Sequence, residues 1–328
     1  MSAVIGLGWL TIASVSIANA ETAGSIGLRL VDVPAAASSD PRALLYIVDR
    51  LAPAAVIRRR IEISNTTAAA SYVALYAAAA DITRSTFNGE AGHTPNDLSS
   101  WTSVSPGQLW VPAGHRMTAS VTVAVPADAP PGEQYAVVWA ETRTAPPPGG
   151  GVTQVSRVGI RMYVEIGPGG APAGDFVIDS LTPQRSAQGR PVVLATVRNT
   201  GGRALDLSGS LMLAAGPGGT SAGPFPTATG ITLAIGDTES VPVVLDSQLP
   251  SGPWRTRLTL HSGLVVRSAS ALMTFPSSGS SAAISTDDSS SGGHTNLLPL
   301  ASALAVVVAA ALWTLHSRRQ RPQPRHSI

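Results

Sequence analysis

Residues 56–66 read Val-Ile-Arg-Arg-Arg-Ile-Glu-Ile-Ser-Asn-Thr, and residues 191–200 read Pro-Val-Val-Leu-Ala-Thr-Val-Arg-Asn-Thr. Each is a run of β-branched and aliphatic residues that stops at an Asn-Thr pair, the pattern of a strand closing on a turn. Each is followed by a second β-rich stretch, residues 71–79 in the first copy and 204–214 in the second. Both copies then place an apolar residue ahead of a glycine, a strand, and a proline-glycine corner that opens a further strand. The first copy has Val111-Pro112-Ala113-Gly114, residues 119–125, then Pro130-Pro131-Gly132 into residues 135–140. The second has Leu233-Ala234-Ile235-Gly236, residues 240–245, then Pro250-Ser251-Gly252 into residues 254–260. The two glycines lie 18 residues apart in the first copy and 16 in the second. Repetition of one strand order predicts two domains of one architecture, each a Greek-key sandwich of about seven strands.

The rest of the chain supports an all-β reading. Short runs of Val, Ile, Leu and Thr are separated by Gly, Pro, Asn and Asp, without a long segment of helical period. Residues 121–125 and 257–260 alternate apolar and polar side chains, as a strand with one face on a core requires. Residues 68–80 are rich in alanine, but Tyr72, Val73, Tyr76 and the preceding Asn65-Thr66 turn favour a strand there over a helix. Gly167-Pro168-Gly169-Gly170-Ala171-Pro172 has the composition of a linker, and residues 81–106 are extra length in the first copy, expected as a long loop with a short hairpin. Residues 146–151 are expected to form a second exposed loop.

The ends carry a different signal. Residues 1–20 are uncharged and apolar and close on Ala18-Asn19-Ala20, so cleavage of a signal peptide is expected before Glu21, although no Lys or Arg precedes the apolar run. Residues 277–293 are dominated by Ser and Gly and are expected to be a flexible stalk. Residues 297–315 form an uncharged apolar run, about 28 Å long as a helix, close to the thickness of a bilayer core. Arg318, Arg319, Arg321 and Arg325 follow it, which predicts a cytoplasmic tail. The domains expected are therefore a signal peptide over 1–20, an Ig-like β-sandwich over 21–167, a second over 168–276, a stalk over 277–296, a transmembrane helix over 297–316 and a basic tail over 317–328. In full, the expected fold class is all-β, with two tandem Ig-like β-sandwich domains plus a C-terminal transmembrane helix. The expected location is the cell membrane, single-pass, with the sandwiches outside.

With these segments placed, the chain resembles a family of Gram-positive surface proteins that carry the peptidoglycan-binding domain of WxL-interacting proteins. The residues that carry the likeness are Ile61-Glu62-Ile63-Ser64-Asn65-Thr66, Phe87-Asn88-Gly89, Asp97-Leu98-Ser99-Ser100-Trp101, and the segment from Val111 to Pro131-Gly132. The second domain, with Val197-Arg198-Asn199-Thr200-Gly201, is also similar to bacterial cell-adhesion-related modules. The resemblance implies binding of peptidoglycan or of a surface protein and supplies no ligand residue.

Composition removes several kinds of chemistry. The chain has no cysteine, which excludes disulfides, thiolate nucleophiles and cysteine metal sites. A net charge of +2, with the dense arginine group confined to the C-terminal end, gives no clustered basic face for a nucleic acid. The six histidines are scattered without zinc-helix spacing; His93, Glu90 and Asp97 share the inserted segment, where a solvated polar loop is the simpler reading. The serines lie mostly in low-complexity sequence, and the glycine runs at 149–151 and 216–219 lack a following Lys-Ser/Thr, so they read as turns. Leu298-Pro299-Leu300-Ala301-Ser302 has the layout of a sortase signal but lacks its scissile threonine.

No catalytic residue, cofactor or metal is expected. Trp101 and Trp110 are the candidate binding residues, as rings that stack on sugars, whereas Trp139 alternates with Val137 and reads as core. The expected function is a membrane-anchored, non-enzymatic extracellular binding or adhesion module, its partner a cell-wall polymer or a surface protein. The alternative is an accessory or scaffold subunit of a membrane or secretion complex.

Overall fold

The structure, a computed structural model, describes residues 24–34, 40–144, 146, 149–168 and 173–286, all within one compact unit. The expected signal peptide, transmembrane helix and basic tail lie outside these residues.

Residues 24–166 build a first β-sandwich. Its strands are β1 (Ile26–Leu30), β2 (Ile47–Leu51), β3 (Val56–Asn65), β4 (Ser71–Thr83), β5 (Thr86–Gly89), β6 (Thr102–Ser105), β7 (Gln108–Val111), β8 (Arg116–Ala124), β9 (Gly132–Thr144) and β10 (Gln154–Ile166), with two short helices, α1 (Pro41–Leu45) and α2 (Asp97–Ser100). One sheet has the order β1-β3-β8-β6; the other runs β2-β10-β9-β4-β5, and β7 also pairs with β4. The alanine-rich stretch is a strand. Its Val73 and Leu75 enter the core between the sheets with Ile61, Ile63, Val121, Val138 and Met162.

Residues 176–285 build a second sandwich from β11 (Phe176–Arg185), β12 (Pro191–Asn199), β13 (Leu205–Ala214), β14 (Ala222–Pro226), β15 (Ile231–Leu233), β16 (Thr238–Val244), β17 (Trp254–Ser262), β18 (Val265–Met273) and β19 (Ile284–Ser285). Its sheets are β16-β12-β11-β19 and β14-β13-β17-β18, with β15 on β13. The order β1-β3-β8 of the first sandwich returns as β11-β12-β16, and β4-β9-β10 returns as β13-β17-β18. The second core gathers around Trp254, Phe176, Leu211, Leu258 and Phe275.

The repeated Asn and the repeated glycine corner are two halves of one device. Asn65 is 1% exposed and Asn199 2%. The Asn65 amide donates to the carbonyls of Ala69 at 2.8 Å and Val111 at 2.9 Å, while its oxygen accepts from the Thr67 N–H at 2.9 Å. In the second sandwich the Asn199 amide donates to Arg203 and Ala234 carbonyls, both at 2.9 Å, and accepts from the Gly201 N–H at 3.0 Å. Each Asn thereby ties the end of one strand to the turn that starts another. Those turns pass through Gly114 at φ +73° and Gly236 at φ +79°, where a side chain would be strained.

The inserted segment is more ordered than a loop. Residues 81–106 contain the β4–β5 hairpin, whose turn holds Arg84 and Ser85 in the left-handed region, followed by α2 and the edge strand β6. A capping box starts α2: Asn96 accepts from the Ser99 N–H at 2.9 Å, and the Ser99 hydroxyl accepts from the Asn96 N–H at 2.8 Å.

Removing either asparagine takes the amide donor from the Val111 or the Ala234 carbonyl, at about 1–3 kcal/mol for such a group, while the Ala69 carbonyl keeps the Thr67 hydroxyl. Asn65→Ala and Asn199→Ala are each expected to lower stability by about 2–4 kcal/mol in urea unfolding; a loss below about 1 kcal/mol would show that water replaces the side chain.

Candidate functional site

The first sandwich is closed unevenly because its first strand changes sheets. β1 pairs antiparallel with β3; the chain then crosses through α1 and returns as β2, parallel to β10. Asp40 caps α1 by accepting from the Arg42 N–H at 2.9 Å, with Pro41 in the first turn. β2 is short: it pairs with β10 only from Met162 to Ile166, whereas β9 pairs with β10 from Gln154 to Ile166. Among the described residues, no strand lies on the other edge of residues 154–161.

This open edge borders a groove of about 770 Å³ between the two sheets, with Ser25, Ile26, Tyr72, Trp110, Gln154 and Arg157 among its lining. Tyr72 is 51% exposed and Trp110 61%, with their rings 6.5 Å apart. Trp101, the other sequence candidate, does not join them: it ends α2 and packs half-buried against the first core.

Behind the edge, the outer face of the sheet is braced. Trp139 packs with Tyr76, Ala78 and Val137, and its indole N–H donates to the Glu90 carbonyl at 2.7 Å. Gly159 on β10 is required here, since a Cβ would lie 2.7 Å from the Trp139 ring. His93 stacks on Tyr76 at 3.8 Å. The Tyr76 hydroxyl donates to Glu141 at 2.6 Å, and Arg143 and Arg157 reach the same carboxylate at 2.7 and 3.4 Å. These partners, the Tyr76 hydroxyl first, hold the Glu141 carboxyl below the usual range. Among the described residues no cluster of His, Asp and Glu could hold a metal. Gly219-Thr220-Ser221-Ala222-Gly223 has the spacing of a nucleophile elbow, yet it leads into strand β14 instead of a helix.

The second sandwich is fixed against the first by a polar hub, which sequence reasoning missed because its members are far apart in the chain. Asp206 accepts from Arg42 at 2.9 Å, Arg161 at 3.1 Å, the Tyr163 hydroxyl at 2.9 Å and the Thr232 hydroxyl at 2.8 Å. Arg42 also donates to the Ala204 carbonyl at 2.8 Å. Phe87, Tyr135, Tyr163 and Ala204 pack around this hub. Glu133 accepts from the Ala204 N–H and the Tyr135 hydroxyl, both at 2.7 Å, and burial pushes its carboxyl above the usual range despite those donors.

No protein-family model and no curated protein matches the chain. Similar solved structures include fimbrial chaperones. The chaperone DraB of E. coli is 13% identical over 80% of this chain and 98% of its own, with a TM-score of 0.37. The CupB2 chaperone of Pseudomonas aeruginosa is 12% identical over 70% and 97%, with a TM-score of 0.36. A chain of the CsuC-CsuE chaperone-tip adhesion subunit pre-assembly complex of Acinetobacter baumannii is 13% identical over 69% and 94%, with a TM-score of 0.37. Identities this low bear on fold alone, and scores below 0.5 carry no functional argument.

The expected membership of the WxL-interacting, peptidoglycan-binding family is corrected. No family model matches the chain, and the residues that carried the resemblance have structural roles. Ile61, Ile63 and Leu98 fill the core, Asn65 ties a corner, and Gly114 and Gly132 make positive-φ turns. With the family go the wall polymer as ligand and the membrane-anchored adhesion module at the cell surface. The single-pass placement finds no support in the structure: no helix among the described residues is long and apolar enough to cross a membrane, and residues 297–316 lie outside them.

Because the folded state holds the Glu133 proton to higher pH than the unfolded chain does, this group's contribution to stability falls as pH rises from the ordinary glutamate pKa through the raised one. Glu133→Gln is expected to flatten that decline when unfolding is measured across the acidic range. Equal pH slopes for the two proteins would place Glu133 in solvent.

Proposed function

We propose that the chain is a non-enzymatic binding protein, made of two Ig-like sandwiches, that captures an extended segment of another protein as an added strand on the free edge of β10. The observation that carries this reading is the unpaired edge of residues 154–161 beside the groove. An edge strand presents a row of unpaired N–H and C=O groups, and natural sheets cover or blunt such edges unless they are used. Strand addition draws affinity from main-chain hydrogen bonds and selectivity from pockets for alternate side chains. Trp110 lines the groove but stands on β7, with β4 and β9 between it and β10, so it does not seat residues paired to β10; Trp101 does not reach the groove.

Of the two partners expected from the sequence, a protein suits a backbone edge. The sandwich behind β10 is stiffened by Trp139 and the Glu141 network, and the Asp206 hub holds the second sandwich at a set angle. A rigid edge loses little entropy when it receives a strand. The segment that arrives is held extended and kept from other pairings, as a protein acting in folding or assembly requires.

Consecutive residues of a strand paired antiparallel turn their N–H groups to opposite sides. Of Val155→Pro and Ser156→Pro, one therefore breaks a bond to β9 and the other removes an outward donor. The outward variant is expected to keep its unfolding midpoint while binding of a decapeptide of alternating Val and Thr falls about tenfold or more, at about 1.4 kcal/mol per factor of ten. Undiminished binding by the outward variant would contradict the proposal.

A further inference from the structure

One edge of the second sandwich, the outer side of β11, is already covered. β11 pairs with β12 along one side. On the other, the chain turns back after Phe275 and lays its Ser/Gly-rich continuation against β11. The Arg185 N–H donates to the Gly279 carbonyl at 2.8 Å, and the Ser281 N–H donates to the Pro183 carbonyl at 3.0 Å. Gln184 and Ser280 form an antiparallel bridge, Leu181 faces Ile284, and Ser180 faces Ser285. The Thr286 hydroxyl donates to the Ile178 carbonyl. Residues 280–286 of the expected stalk thus lie along β11, with Ile284–Ser285 as a short strand.

Little besides backbone holds it there. Ile284 is half-buried against the second core, while Ala282 and Ala283 are exposed. A segment with one apolar anchor opens far more readily than the sandwich unfolds. Pro183 has no N–H to give, and its carbonyl faces the added segment, so the missing donor costs the β12 ladder nothing. Once the segment leaves, the Ile178 and Pro183 carbonyls lose their donors, and the place of Ile284 beside Leu181 stands open.

The geometry points to the outer edge of β11 as a second strand-binding site, occupied at rest by residues 280–286. When they leave, it takes an extended segment of another polypeptide with a β-branched aliphatic side chain and, two residues on, a hydroxyl. The resident strand defines that chemistry: Ile284 fills the apolar place, Thr286 supplies the hydroxyl, and small residues suffice before them. This site uses the same kind of pairing as the β10 edge but different residues in a different sandwich. A trans segment competes against a tethered one, so the resting chain binds it weakly.

The test uses the intact chain and a fluorescein-labelled peptide, Ser-Ser-Ala-Ala-Ile-Ser-Thr. Ile284→Asp unseats the resident strand, and the variant is expected to bind the peptide about tenfold or more tighter than the unmodified chain, by fluorescence anisotropy. A peptide with Asp in place of Ile is expected to bind neither. Thr286→Val loses only the hydroxyl contact and is expected to give a smaller gain with an unchanged unfolding midpoint. The inference is overturned by equal affinity of the unmodified and Ile284→Asp chains, or by no binding to Ile284→Asp when the outward amide of Arg185 exchanges freely. The outward proline variant of β10 is expected to leave this binding unchanged, so failure at one edge is distinguishable from failure at the other; loss at both would also overturn it.

Discussion

Edge strands impose the constraint on which this structure turns. Inside a sheet each strand finds partners on both sides, but an outermost strand must find another answer for its outward N–H and C=O groups. The first sandwich leaves the outward edge of residues 154–161 unpaired because β2 stops short of the length of β10. The second covers β11 with residues 280–286 of the same chain. Among the sheet edges, that of β10 is open beside a groove and that of β11 is closed by a loosely held segment, and the functional reading follows from that contrast.

The core and the interface keep those edges in place. Two buried asparagines fix strand ends to glycine corners in both sandwiches, so the strand order is specified locally twice. Between the sandwiches, Asp206 gathers two guanidiniums and two hydroxyls from residues scattered through the chain. Breaking a buried pair of this kind by removing one partner costs about 3–5 kcal/mol, because the remaining charge stays out of water. The hub is therefore a source of fixed geometry more than of net stability, and it makes the two sandwiches one platform.

Much of the fold was legible from residue patterns. The Asn-Thr pairs and the glycine corners recur because they hydrogen-bond to each other, so the sequence repeat reports a contact that chain order alone hides. Alternation identified the strands, and Tyr72, Val73 and Tyr76 outweighed the helical preference of the surrounding alanines. Other features left no local trace. Residues 280–286 read as a flexible stalk because pairing with β11 depends on backbone and on a single Ile284 side chain. The free edge of β10 arises from a difference in length between two strands that pair across more than a hundred residues of sequence. Of the two candidate tryptophans, Trp110 reached the groove and Trp101 the core periphery, a distinction set by β7 pairing with β4. The family resemblance failed for a related reason: the residues that carried it shape turns and cores, which many β-sandwiches need whatever they bind.

Amide exchange along β10 tests the account most directly. In the free protein, the outward-facing amides within residues 154–161 are predicted to exchange quickly, while those paired to β2 between Met162 and Ile166 exchange slowly. On addition of a bound extended peptide, the fast group is predicted to become protected along its length. Protection that appears elsewhere, with these amides still exchanging quickly in the complex, would contradict capture of a strand at this edge.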